Sequence, residues 1–286
     1  MTVELLNFGW FFFILLFAGL TVGLYFLLRK RSWRARYWTL FGILMFGFVL
    51  HFLKLTFPPY TDSLEKGISS IFMVNICAVS VVLFPFIFLT KSNFLKDGMI
   101  YLGLLSGFLA LFYPTEAIGK EFWTLDLWRF YIHHGILFMV PCLMLLLKVH
   151  KLDYRRVPLV PLYMIGVLCL IIVNQVIASE LGFIGLRHDN FLAVPWHNPS
   201  LFWGPSDELA AVFTWLTPDF MKTVPGNASG YAGQPKLWPL FYMLPGILVY
   251  FWVLPFAISM IWEYKHFKAD IITLFGKIKN LRNAKK

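Results

Sequence analysis

Apolar residues in this chain come in long, nearly unbroken runs separated by short charged linkers. The pattern lacks the alternation of a strand and the one-sided stripe of a surface helix. Seven runs stand out, at residues 8–28, 38–57, 68–90, 98–113, 127–147, 157–177 and 237–262. A helix of about 20 residues crosses a hydrocarbon core of roughly 30 Å, so each run reads as a membrane-spanning helix. The fourth is short. Its Gly103, Ser106, Gly107 and Ala110 make a small-residue face that lets another helix approach closely, which fits a helix buried inside a bundle. The expected fold is all-α, a polytopic seven-helix membrane bundle over residues 1–263. Two segments fall outside the runs. Residues 179–236 form a long, aromatic and proline-punctuated loop, expected on the extracytoplasmic side. Residues 264–286 space apolar positions at helical intervals among lysines, as in a basic amphipathic helix lying on a membrane surface.

The linkers orient the bundle. Those after the first, third and fifth runs, together with the tail, hold eighteen Lys and Arg against four acids, whereas the opposite side holds five against eleven. Cytoplasmic loops carry the excess of Lys and Arg, so the N-terminus is expected outside and the C-terminus in the cytoplasm. The expected location is the plasma membrane of a bacterium.

Composition agrees with a membrane class. Hydrophobic residues make up 59% of the 286 and charged residues 14%, where a soluble domain has roughly 25% charged. The net charge of +10 is accounted for by the cytoplasmic linkers, so no nucleic-acid partner is implied; the basic tail points instead to anionic inner-leaflet lipids. Cys77, Cys142 and Cys169 all lie in apolar runs, without CxxC or Cys/His metal spacing. No metal or other cofactor is called for.

Polar residues within hydrocarbon are costly and therefore informative. On the expected topology they gather at one depth, near the outer surface. His51 and Lys54 lie near the outer end of the second run, and Asn75 and Cys77 near that of the third. Arg129, His133 and His134 open the fifth, and Asn174 and Gln175 close the sixth. At 1.5 Å per residue, Cys77 and His134 each fall about 10 Å below the outer boundary. A lone histidine or asparagine in a span usually joins two helices, and Arg129 and Lys54 are long enough to snorkel to headgroups. Taken together, the set reads as the lining of an outward-facing site. A thiol beside an imidazole suits nucleophilic catalysis, because the thiolate is the attacking species and the imidazole takes its proton.

Several blocks carry a resemblance. NICAVSVVLFPFIFLTKSNFL surrounds Cys77, and LLSGFLALFYPTE closes the fourth run. FYIHHG surrounds His134, VNQVIAS holds Asn174, and DNFLAVPWHNPSLFWGP runs from 189 to 205. In their order and spacing, from about 75 to 255, the chain resembles the YwaF-like integral membrane proteins, the family that includes transmembrane protein 164 of animals. The resemblance implies a seven-helix bundle with phospholipid acyltransferase activity. It also implies Cys77 as the acyl-accepting nucleophile, His134 as its base, and Asn174 and Asn190 as polar positions that orient the pair or the substrate. Where the family pattern often reads His-x-Cys-Asp, this chain has Asn75-Ile76-Cys77-Ala78, so the missing imidazole is sought in His51 or His133.

The functional expectation is acyl transfer between membrane lipids, donor and acceptor, through a thioester on Cys77. His51, Lys54, Asn75, Arg129, His133, Asn174 and Asn190 are the expected substrate-binding residues. Two rival readings stand beside it. One is a small-solute transporter or receptor-like bundle, in which the polar layer binds a solute. The other is a haem or metal protein using His51 with His133 or His134.

Overall fold

The computed structural model describes residues 1–184, 198, 200, 201, 203, 204, 211, 212, 214–222 and 240–284, with side chains through 278. Asn190 and most of the 179–236 loop lie outside the described residues.

The main elements among these residues are α1 Phe8–Leu28, α2 Trp33–Leu53, α3 Leu64–Ile71, α4 Ile76–Leu89, α5 Asn93–Phe112, α6 Leu125–Leu146, α7 Val160–Glu180 and α8 Leu244–Ala284. No strand occurs among the described residues; one isolated bridge joins Thr2 to Glu121. Six helices are long and apolar enough to cross a membrane, and α3 with α4 makes a seventh if the pair is one span. Their exteriors are what a bilayer requires: Phe8, Leu15, Val22, Phe26 and Leu27 of α1 all stand exposed. The chain is an integral membrane protein.

Most helices start on a side-chain cap. The oxygens of Asn7, Ser32, Ser63, Asn75, Ser92 and Thr124 each accept the amide hydrogen of the residue three positions on. Hydrocarbon offers the first turn no other acceptor. Ser92 explains why α5 starts before the fourth apolar run. The cap sets the start at Asn93, five residues ahead of Gly98, and brings Asp97 into the helix. There Asp97 is buried and accepts from His150 at 2.6 Å and from Arg156, so the carboxylate is paired.

Two further differences from the sequence pattern have clear causes. The third run is not one helix. It breaks at residues 72–75, and α3 and α4 meet at 51°, because the Asn75 side chain accepts from the Ala78 amide at 2.7 Å and starts a new helix there. The tail is not a separate segment either. The last helix passes residue 263 without interruption and extends for 41 residues, about 60 Å at 1.5 Å per residue, well beyond the hydrocarbon core. Asp270, in that extension, accepts from Tyr154 and Arg155, and Phe267 packs against the Tyr154 ring at 5.2 Å.

The core lies where α5 meets α6, and glycine decides how close they come. A Cβ on Gly103 would stand 2.6 Å from the Leu137 carbonyl oxygen, and one on Gly107 2.7 Å from the Phe138 nitrogen and 3.0 Å from the His134 oxygen. The small-residue face read from the sequence is thus the contact surface. On the other flank of α6, Gly135 receives the Phe17 ring of α1, and Phe13 stacks on Tyr131 at 3.8 Å.

Gly107→Val is therefore expected to push α5 away from the α6 backbone that carries His134. Overpacking of this kind costs about 1–3 kcal/mol. Thermal unfolding of the detergent-solubilised chain should show a clear loss for Gly107→Val and little change for Gly19→Val, whose added side chain meets nothing within 4 Å.

Candidate functional site

The break between α3 and α4 lies against α2 and α6, and the polar residues gather around it. A helix end leaves its last carbonyls without partners. Side chains at the end of α2 supply them: His51 Nε2 donates to the Ile71 oxygen at 3.0 Å, and Lys54 Nζ donates to the Ser70 oxygen. On the far side of the break, Asn75 caps α4 and thereby sets Cys77 in its first turn, at the positive end of the helix dipole. The amide hydrogens of Ile76 and Cys77 precede the first intrahelical bond and have no acceptor among the described residues.

Opposite Cys77 stands His134, from the middle of a long unbroken helix. Its Nε2 lies 3.1 Å from the Cys77 sulfur, and its Nδ1 lies 2.8 Å from the Phe130 carbonyl oxygen, one turn back on α6. A carbonyl only accepts, so the ring hydrogen is on Nδ1 and the Nε2 lone pair faces the thiol. The Phe130 ring, with its centroid 4.2 Å from that of the imidazole, packs against it. His134 is buried and Cys77 half-buried.

A second cluster flanks this pair. Asp126 accepts from Arg129 at 2.9 and 3.2 Å, from Lys120, and from the Tyr60 hydroxyl at 2.5 Å. Arg129 also contacts His133 Nδ1 at 3.3 Å, and the His51 and His133 ring centroids are 6.1 Å apart. The Tyr60 ring carries Lys54 at 5.5 Å and Arg129 at 5.3 Å. Burial holds the Tyr60 hydroxyl pKa above the ordinary phenol value, so it remains a donor to Asp126.

Cys77 and His134 are thus brought into contact, while Lys54, Arg129, His51 and His133 form the neighbouring cluster. Asn75 is committed to its cap. The Asn174 amide donates to the Leu170 oxygen of its own helix at 3.0 Å, and the buried inward-facing residue there is Gln175, which accepts from the Trp203 indole at 2.6 Å. The imidazole beside the thiol is the expected base His134, while His51 and His133, the candidates for the imidazole missing before the cysteine, bond the Ile71 carbonyl and Arg129. Arg129 does not snorkel; its side chain is 10% exposed and paired. Tyr60, Lys120 and Asp126 are not apparent from the apolar pattern, because all three fall in or beside linkers. The i, i+3 spacing of Asp126 and Arg129 on one helix face was the available signal. Among the described residues no group of three His, Cys, Asp or Glu is placed to hold a metal ion. A cavity of about 490 Å³ lies at the other end of the bundle, lined by Lys96, His150, Lys151, Arg155, Glu263 and His266 among others, and does not include the Cys77–His134 pair.

A family model described as the TMEM164 family matches residues 4–221. The match takes in the first two helices, which the sequence blocks left out, and ends before α8. No curated protein and no solved structure matches the chain.

Removing Asp126 strands Arg129, whose side chain is 10% exposed, without its counter-ion, and breaking a buried pair costs about 3–5 kcal/mol, while the more exposed Lys120 can turn to solvent. Asp126→Ala is expected to unfold at markedly lower temperature. Asp126→Leu combined with Arg129→Met should recover most of the loss, as read by thermal unfolding of both variants.

Proposed function

The chain belongs to the TMEM164 family, and from that premise we propose that it is a membrane acyltransferase, passing a fatty acyl chain between lipids through a thioester on Cys77. The observation that carries this reading is the 3.1 Å contact of Cys77 with an imidazole whose other nitrogen is held by the Phe130 carbonyl. A general base must lie within hydrogen-bond reach of the proton it takes. His134 meets that requirement with its lone pair already aimed.

The steps balance as follows. His134 Nε2 takes the thiol proton as the Cys77 sulfur attacks the ester carbonyl of the donor lipid. The new S–C bond gives a tetrahedral oxyanion, and the amide hydrogens of Ile76 and Cys77, without an acceptor among the described residues, are backbone donors in the same first turn available to stabilise it. Collapse breaks the ester C–O bond, and the imidazolium returns its proton to the leaving alkoxide, which departs as a hydroxyl lipid. In the second half, the hydroxyl of an acceptor lipid gives its proton to His134 and attacks the thioester; collapse breaks the S–C bond, and the expelled Cys77 sulfur takes that proton back from His134. No oxidant, metal or nucleotide enters. On the charge distribution of the linkers, this end of the bundle faces the extracytoplasmic side. The basic extension of α8 then meets the anionic inner leaflet.

Cys77→Ser and Cys77→Ala are expected to lose lipid acyl transfer, and His134→Gln to reduce it by about 10²–10⁴-fold. Incubating the purified chain with donor lipid alone should leave one acyl mass on Cys77 that hydroxylamine removes. Full transfer by both Cys77 variants would refute the thioester route.

A further inference from the structure

Two consecutive histidines on α6 carry their hydrogens on opposite sides. In His134 the hydrogen is on Nδ1, bonded to the Phe130 carbonyl, and Nε2 is a lone pair. In His133, Nδ1 faces Arg129 Nη1 at 3.3 Å. A guanidinium has no lone pair to accept with, so Arg129 donates, Nδ1 accepts, and the hydrogen sits on Nε2. That Nε2 is buried, in a residue 3% exposed, and no acceptor reaches it among the described residues.

A second donor waits beside it. Lys54 is 6% exposed. Its ammonium has three N–H groups, and among the described residues it bonds only the Ser70 carbonyl, with no carboxylate in ion-pair range. Capping α3 accounts for one N–H and leaves the charge without a counter-ion. Lys54 and His51 both lie within electrostatic reach of His133. Arg129 and Lys120 are already matched to Asp126. Glu116, exposed on its loop, and Asp126 both act on Lys54 electrostatically, but neither carboxylate is in ion-pair contact with it. Buried donors are rarely left unfilled in a folded chain, and a buried cation is normally paired. What Lys54 and His133 lack, among the described residues, is a negatively charged acceptor within bonding distance.

We propose that Lys54 and His133 form an oxyanion subsite, braced by Arg129, that takes the phosphate of the lipid whose ester Cys77 attacks. This deepens the acyl-transfer reading and rests on it. A phosphodiester supplies two unesterified oxygens that share one charge and only accept, matching one ammonium and one imidazole N–H. The phosphate of a glycerolipid is only a few bonds from its ester carbonyls. Adjacent residues of α6 therefore divide the work: His133 holds the headgroup while His134 moves the proton.

The test is retention of lipid by the full-length chain in detergent. The chain is offered equal amounts of phosphatidylcholine and of diacylglycerol with the same acyl chains, and native mass spectrometry reads what stays bound. The wild-type chain is expected to retain the phosphatidyl lipid preferentially. Lys54→Met and His133→Phe should each cut that preference about tenfold or more, the weight of a charge-assisted hydrogen bond, while Lys54→Arg keeps it. Should Lys54→Met fail to fold, His133→Phe decides alone: the Nε2–H it removes bonds nothing among the described residues, and Arg129, which loses the Nδ1 acceptor, stays paired with Asp126. An unchanged preference in a folded His133→Phe chain overturns the subsite. Inorganic phosphate is the second arm: if it raises the melting temperature of the wild-type chain but not of the variants, while lipid preference stays flat, the site is an oxyanion site and its assignment to a lipid is overturned. Cys77→Ala, carried alongside, should retain phosphatidylcholine like the wild type. Loss of the subsite and failure of the thioester route are then read from separate measurements.

Discussion

Hydrocarbon supplies no hydrogen-bond partner to an interrupted helix, and the break at residues 72–75 persists because side chains take up what it exposes. Asn75 accepts on the downstream side, and His51 and Lys54 donate to the Ser70 and Ile71 carbonyls on the upstream side. Without those three groups the third run would close into one continuous helix, and Cys77 would sit in mid-helix with its amide bonded four residues back. The interruption instead places the sulfur in the first turn of α4, beside amide hydrogens that have no acceptor among the described residues. Local backbone chemistry makes the thiol available, and packing then brings the imidazole to it.

That packing runs through α6, which is flanked on both sides by glycine-dependent contacts. Gly103 and Gly107 admit α5 to the α6 backbone, and Gly135 admits the Phe17 ring. With both flanks fixed, α6 presents a rigid series in which Asp126, Arg129, His133 and His134 have defined neighbours. The Asp126 carboxylate organises the upper turn by binding Arg129, Lys120 and Tyr60 together. Arg129 in turn fixes the tautomer of His133, while a backbone carbonyl fixes that of His134. Two imidazoles of like sequence context thus acquire opposite hydrogen-bonding character one residue apart.

Much of this was legible in the sequence, and what was not has physical causes. Long apolar runs revealed the spans, because bilayer thickness sets a length that composition must meet. Gly103 and Gly107 revealed the buried face of α5, since small residues four apart have few other uses. The meeting of Cys77 with His134 agrees with their equal depth on two helices, the third and fifth runs, that cross in the same direction. The kink at Asn75 was hidden, because one polar residue in an apolar run reads equally as interhelical glue. Asn174 was favoured over Gln175 for the same reason: hydropathy gives depth and not rotation about the helix axis, and the two neighbours point about 100° apart. Tyr60 and Asp126 lay in linkers, which the apolar pattern leaves unspecified.

The third member of the site shapes the chemistry. In hydrolytic triads the imidazole is oriented by a carboxylate that also stabilises the imidazolium. Here the orienting group is the neutral Phe130 carbonyl, which fixes the ring without adding a charge. A fully formed thiolate–imidazolium pair would have to exist in a largely apolar setting, where separating charge is expensive. In the proposed reaction the resting pair is therefore best kept neutral, with the proton leaving sulfur only as the sulfur–carbon bond forms and negative charge moves to the carbonyl oxygen. That oxygen arrives at the start of α4, where the amide hydrogens and the helix dipole are oriented to receive it. On the proposed acyl transfer, a carbonyl in place of a carboxylate would thus couple proton transfer to the arrival of an ester, and leave the sulfur unreactive while no lipid is bound.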